Sequence, residues 1–212
     1  MMSNILEQMQ KDVYSGKVDG VKTDVKKALN EGLSAQEILN QGLLAGMDKV
    51  GKDFKAGELF IPEVLMCAKA MHAGLDVLRP LLAGSGATMM GKIAMGTVAG
   101  DLHDIGKNLV SMMLVGAGFE VIDLGVNVTP EKFVETAISK GAQLIGMSAL
   151  LTTTMPAMKT TIEALIKAGV RDRVKVLVGG APVTANFADS IGADAYAPDA
   201  VSAVDAAREL IM

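Results

Sequence analysis

The run Gly100-Asp101-Leu102-His103-Asp104-Ile105-Gly106 holds the pair of side chains best equipped for chemistry in this chain. A neutral imidazole donates a hydrogen bond through one ring nitrogen and offers the lone pair of the other to a metal. A carboxylate two residues earlier, Asp101, is placed to accept that hydrogen bond, which fixes the tautomer of His103 and raises its basicity as a ligand. A solitary histidine is more often a helix cap or a loop residue than a ligand, so its surroundings decide. The other histidine, His72, lies in a helical region, and Cys67 is the only cysteine, so a zinc site or a thiolate-held cluster lacks ligands. A metal that takes one protein ligand must bring the rest of its coordination sphere with it, and a macrocycle does that.

Two other stretches share the setting of this run. Ser148-Ala149-Leu150, with Thr152 just behind, and Gly179-Gly180-Ala181 each follow a short apolar segment and precede an amphipathic one. The pattern predicts strands at 92–97, 120–123, 144–147, 174–178 and 195–196. Helices are expected near 105–117, 130–140, 155–168, 182–191 and 200–211. Such alternation implies a parallel sheet covered on both faces, with the flavodoxin or Rossmann-like doubly wound order 2-1-3-4-5 as the first expectation. In that architecture ligands bind at the carboxyl ends of the strands, where all three stretches fall. Ser148 is then placed to extend the relay behind Asp101.

Residues 1 to about 80 read instead as a four-helix bundle. Helices are expected near 3–15 and 19–31, a third after the capping box Ser34-Ala35-Gln36-Glu37, and a fourth from Phe60-Ile61-Pro62-Glu63 to Arg79-Pro80. The expected division is a helical cap at 1–82, a Gly-rich linker at 83–91 and a ligand-binding domain at 92–212. Half of the residues are hydrophobic, yet Trp is absent and only two Tyr and five Phe occur, so the core rests on aliphatic residues and 15 Met. These Met read as adaptable filler, and Cys67 and His72 as packing or surface. The net charge of −4, without a basic stripe, argues against nucleic acid. No signal peptide and no spanning apolar segment are evident, so the expected location is cytoplasmic, with no membrane partner.

The spacing resembles a known signature. Asp101-x-His103-x-x-Gly106, then 41 residues, Ser148-x-Leu150, then 28 residues, and Gly179-Gly180 match the cobalamin-binding pattern of corrinoid proteins. That group includes the cobalamin module of methionine synthase and the corrinoid subunits of methylamine and methanol methyltransferase systems. The helical half is similar too, through Gly46-Met47-Asp48-Lys49-Val50-Gly51-x-x-Phe54 and Gly57-Glu58-Leu59-Phe60-Ile61-Pro62-Glu63-Val64. The resemblance implies a cobalamin or related corrinoid bound base-off and His-on, with His103 as the lower cobalt ligand and Asp101 and Ser148 as the relay behind it. Gly100, Leu102, Asp104, Ile105 and Gly106 would line the cofactor with them. The nucleotide tail would pass Ser148, Leu150 and Thr152 between Gly179-Gly180 and the region of Ala200. Phe54 and Ile61 would cover the upper face. Asn40 stands where the methionine synthase type carries a carboxylate, so any polar contact there would be neutral.

The function so implied is methyl carriage in one-carbon metabolism. Cob(I)alamin takes a methyl group from a donor held on one methyltransferase. Methylcobalamin passes it to a second methyltransferase acting on a folate, pterin or thiol acceptor, and His103 leaves and re-binds in each cycle. A reductive activation protein is a further implied partner. The chain reads as a carrier subunit without a complete active site of its own. An adenosylcobalamin mutase subunit shares the histidine signature but not the helical cap. A cobalamin-dependent regulator shares both modules but would place a DNA-binding domain ahead of residue 35, where the sequence is neither long nor basic. A flavodoxin-like domain without a corrinoid would leave Asp101, His103 and Ser148 coincidental.

Overall fold

The computed structural model describes residues 2–85 and 89–211, and two compact units divide the chain: Met1–Thr88 with Val115–Gly118, and Met89–Leu114 with Phe119–Met212. The helical unit opens with α1 (Met2–Tyr14) and α2 (Val18–Asn30), then α3 (Ala35–Glu37), α4 (Ala45–Lys55) and α5 (Ile61–Ser85). The capping box at Ser34 forms as expected: Glu37 N–H donates to Ser34 Oγ at 3.2 Å and Ser34 N–H to Glu37 Oε2 at 3.0 Å. A π-helical stretch, Ile38–Leu44, joins α3 to α4 without a break, a feature that periodicity does not reveal. It buries Ile38, Leu39 and Leu43 among Met9, Val21, Met71 and Leu78 of the bundle core. The fourth helix does not end at Arg79-Pro80. It runs through Pro80 to Ser85, so residues 83–85 of the expected linker are helical, and 86–88 lie outside the described residues. An interior proline disfavours a helix by about 3 kcal/mol, and burial of Leu75, Leu78 and Leu82 along the same helix offsets that cost.

The second unit carries the expected parallel sheet: β1 (Lys92–Thr97), β2 (Glu120–Asp123), β3 (Leu144–Ser148), β4 (Lys175–Gly179) and β5 (Ala195–Ala197), in the order β2-β1-β3-β4-β5. Between them lie α6 (Ile105–Gly116), α7 (Pro130–Lys140), α8 (Pro156–Lys167) and α9 (Ala185–Ile191), and α10 (Ala200–Ile211) follows the last strand. Right-handed crossovers place α6 on one face and α7, α8 and α9 on the other, because the chain reverses direction at β1. Ala94, Ile145, Met147, Val176 and Val178 of the sheet pack against Phe133, Met158, Ile162, Leu165 and Ile191 of the three helices. Strands buried on both faces explain why β1, β3 and β4 read as near-continuous apolar runs. Among the described residues no helix is long and apolar enough to cross a membrane.

The register sets the site. Thr97, the last residue of β1, pairs with Ser148 of β3; Ser148 pairs with Gly179 of β4, and Gly179 with Ala197 of β5. The three sequence stretches therefore emerge side by side from the carboxyl edge, and the first two flank the point where the strand order reverses.

Candidate functional site

Asp101 is fully buried, and its two carboxylate oxygens face different ways, one to the loop after β3 and one to His103 of its own loop. Oδ2 accepts from the amides of Leu150 at 2.8 Å and Leu151 at 3.3 Å, and from the Thr154 hydroxyl at 2.7 Å. Oδ1 accepts the His103 amide at 3.1 Å and faces His103 Nδ1 at 2.7 Å. Burial alone would raise the Asp101 pKa. The bonds from Leu150, Thr154 and the His103 amide and ring outweigh it and hold the carboxyl well below the usual carboxylate range. An ionised carboxylate only accepts, so Nδ1 carries the proton and Nε2 keeps its lone pair for a metal.

The loop itself is braced from below. Thr97 Oγ1 donates to the His103 carbonyl at 2.8 Å, and Gly100 takes the left-handed backbone that an L side chain resists. Asn127, in the loop after β2, accepts the Gly100 amide on Oδ1 at 2.8 Å and donates its own amide to the Asp101 carbonyl at 2.9 Å. It does so at φ 54°, a conformation that Asn tolerates better than most residues.

Around this polar kernel the surface is apolar and open. The His103 side chain is 50% exposed, and Leu102 (71%), Ile105 (85%), Leu150 (42%) and Leu151 (43%) form a collar of large uncovered side chains. A Cβ at Gly106 would meet nothing within 4 Å, so the first turn of α6 presents bare backbone. Asp104 accepts from Asn108 Nδ2 at 3.1 Å, beside the buried Lys107, which pairs with Asp123 at 2.6 Å. One metal-ready nitrogen amid exposed apolar groups suits a broad, flat macrocycle. Among the described residues no group of three or more His, Cys, Asp or Glu could hold a bare ion.

Other expected residues have different surroundings. Ser148 ends β3, and its carbonyl accepts the Val98 amide at 3.0 Å. Among the described residues it is the Thr154 hydroxyl, not that of Ser148, that reaches Asp101. Thr152 is exposed on the same loop. A Cβ on Gly179 would lie 2.8 Å from the Ala197 carbonyl oxygen, and one on Gly180 would strike that of Ala149. The chain's own backbone therefore demands these glycines, a more immediate reason than approach of a ligand. Ala200 is buried at the start of α10, next to Asp199, whose Oδ1 accepts the Ser202 amide at 2.7 Å.

In the helical unit, Phe54 is half-buried in the last turn of α4, and Ile61 is 48% exposed at the start of α5. Phe60, which the sequence does not single out, is still more exposed. Tyr14 donates its hydroxyl to Asp53 at 2.7 Å, next to Phe54, with Lys49 over its ring. That bond pushes the Tyr14 pKa up to about 12. Asn40 pairs with Gln36 at 3.1 Å. Thr154, Asn127, Leu151 and Phe60 are the residues that the sequence reading missed. Only the run Thr152-Thr153-Thr154 carried any signal, and it did not tell which threonine turns inward.

Two family models, each described as a B12 binding domain, match residues 91–206 and residues 5–79. The dimethylamine corrinoid protein 1 of Methanosarcina acetivorans is 49% identical over 208 residues, covering 98% of this chain and 97% of that protein. Among solved structures, the methanol:cobalamin methyltransferase complex of Methanosarcina barkeri matches with a TM-score of 0.90 at 27% identity, over 98% of this chain and 80% of that one. A cobalamin-binding protein of Desulfitobacterium hafniense matches with a TM-score of 0.77 at 32% identity, over 97% and 98% of the two chains. The chain belongs to the B12-binding family of corrinoid proteins.

Proposed function

We propose that this chain carries a methyl group on a bound corrinoid, taking it from a methylamine-specific methyltransferase and delivering it to a second methyltransferase. The observation that carries this reading is the half-exposed His103, with Nδ1 held by a buried carboxylate and Nε2 free, inside an apolar collar. When bound, the corrinoid supplies a cobalt centre that accepts and releases the methyl group. His103 supplies the lower ligand, base-off and His-on, and Asp101 sets its tautomer and basicity. Leu102, Ile105 and Leu150 offer apolar contact, with Gly100, Asp104 and Gly106 completing the loop. Ser148, Thr152, Gly179, Gly180 and Ala200 border the path for the nucleotide tail, and Phe54 and Ile61 provide apolar surface from the helical unit. A methylamine donor is favoured by the high identity to dimethylamine corrinoid proteins. A reductive activation protein and a cytoplasmic setting belong to the same proposal.

The test is reconstitution with a corrinoid, reduction, and addition of dimethylamine, monomethylamine or methanol with a cognate methyltransferase, followed by visible spectroscopy. Methyl loading from an amine is expected, and His103→Ala abolishes the ligand-on spectrum. An unchanged spectrum in that variant sinks the ligand assignment, and loading from methanol alone sinks the donor assignment.

A further inference from the structure

Three threonines follow Leu151 in a row, and only the last is buried. Thr154 lies just before α8, and its amide donates to the Leu151 carbonyl at 3.0 Å, closing a tight turn. Its Oγ1 stands 2.7 Å from Asp101 Oδ2 and 2.9 Å from the Leu151 carbonyl oxygen. A hydroxyl has one proton to donate, and the carboxylate is the stronger acceptor. The geometry assigns to Thr154 the role of a positioning residue that holds the Asp101 carboxylate in the plane that orients His103.

Asp101 uses its two oxygens for different tasks. Oδ1 serves only His103, while Oδ2 is the anchor. The Leu150 amide at 2.8 Å, the longer Leu151 contact at 3.3 Å and the His103 amide on Oδ1 at 3.1 Å hold the carboxylate from the backbone. The Thr154 hydroxyl makes the shortest bond on Oδ2, at 2.7 Å, so it narrows the swing about Cβ–Cγ that those amides leave and sets the direction of Oδ1 toward Nδ1. Thr154 thus acts on the ring through Asp101 without touching it. The assignment rests on the reading of His103 as the axial ligand, but its effect on the ring exists in the corrinoid-free chain.

The test exploits that independence. Long-range 1H–15N correlation spectra of the corrinoid-free protein separate the two His103 tautomers. The wild type is expected to be protonated at Nδ1. In Thr154→Val and Thr154→Ala the ratio of Nδ1–H to Nε2–H forms falls by about tenfold, the worth of one hydrogen bond to a charged group. Thr154→Ser restores it. Thr161→Val is the control: Thr161 is also buried, but its hydroxyl bonds the Ala157 carbonyl within α8. After loading with cob(II)alamin, the axial-nitrogen splitting in the EPR spectrum follows the same ranking. Wild-type tautomer ratios in both hydroxyl-free variants, or an equal loss in Thr161→Val, overturn the role of Thr154. Absence of axial-nitrogen splitting in the wild type overturns the ligand reading instead, and the tautomer measurement still decides the positioning role.

Discussion

In the sheet unit, Asp101 gathers donors from residues 49, 50 and 53 positions further along the chain. In the helical unit, Phe60 and Ile61 are displayed by a purely local device: the Phe60 amide donates to Glu63 Oε2 at 2.8 Å and its carbonyl accepts the Glu63 and Val64 amides of α5. The first site must present one nitrogen lone pair in one direction, and that needs constraints from several loops at once. The second must only present apolar area, and a capped helix start is enough. Orientation is built from contacts distant in sequence, whereas surface is built from neighbours.

The sharpest way to break this contrast is to remove the hub. Asp101→Ala leaves the Leu150 and Leu151 amides without the carboxylate that accepts them and turns the Thr154 hydroxyl to the Leu151 carbonyl, and about 3–5 kcal/mol of stability should disappear in urea titrations, together with corrinoid capture. A loss under 1 kcal/mol would show the hub to be dispensable. Asp101→Asn adds a pH test on the corrinoid-free protein. The folded chain prefers the ionised carboxylate, so its contribution is complete above the unfolded-state pKa of about 3.9 and is lost as pH falls through the lower folded-state value. The stability gap between wild type and variant should shrink as pH falls below about 4; a gap that stays unchanged through that range contradicts the network.

Asn127→Ala removes the acceptor for the Gly100 amide while keeping the left-handed backbone, and about 2 kcal/mol is expected. Asn127→Gly should recover roughly half of that, since glycine relieves the backbone. On the other side of the comparison, Phe60→Ala and Ile61→Ala should change stability by no more than about 0.5 kcal/mol while weakening corrinoid retention. A large stability loss would make them core residues. The smallest effect is spectroscopic. With Tyr196→Phe leaving Tyr14 as the remaining tyrosine, ultraviolet titration should place its ionisation near pH 12, and Asp53→Asn should bring it back toward 10.

The same contrast explains what could be read before any coordinates. The strand order, the gathering of three stretches at one edge and the Asp101–His103 pair follow from periodicity and spacing, because a parallel sheet aligns strand ends by register. The exposed apolar residues of the helical unit are harder, since an apolar side chain on a helix looks the same in sequence whether it is buried or exposed. The exposure of Phe60 was missed for that reason. Thr154 and Asn127 were missed because their importance is geometric: which of three threonines turns inward depends on one turn's backbone. Pro80 misled in the other direction, as a local breaker signal was overridden by burial on the same helix. At Gly179-Gly180 the crowding carbonyls of Ala197 and Ala149 add a constraint that spacing along the sequence does not reveal.

The sequence distance between Asp101 and Thr154 also has a consequence for synthesis. At about 5–20 residues per second, the ribosome needs roughly 3–10 s to travel the 53 positions from Asp101 to Thr154. Until Leu150 is added the carboxylate has none of its Oδ2 partners. The full set of donors to Asp101 therefore exists only after β3 has joined β1 and the following turn has closed. Under the proposed ligation, the order of translation delays corrinoid capture until three of the five strands have been made.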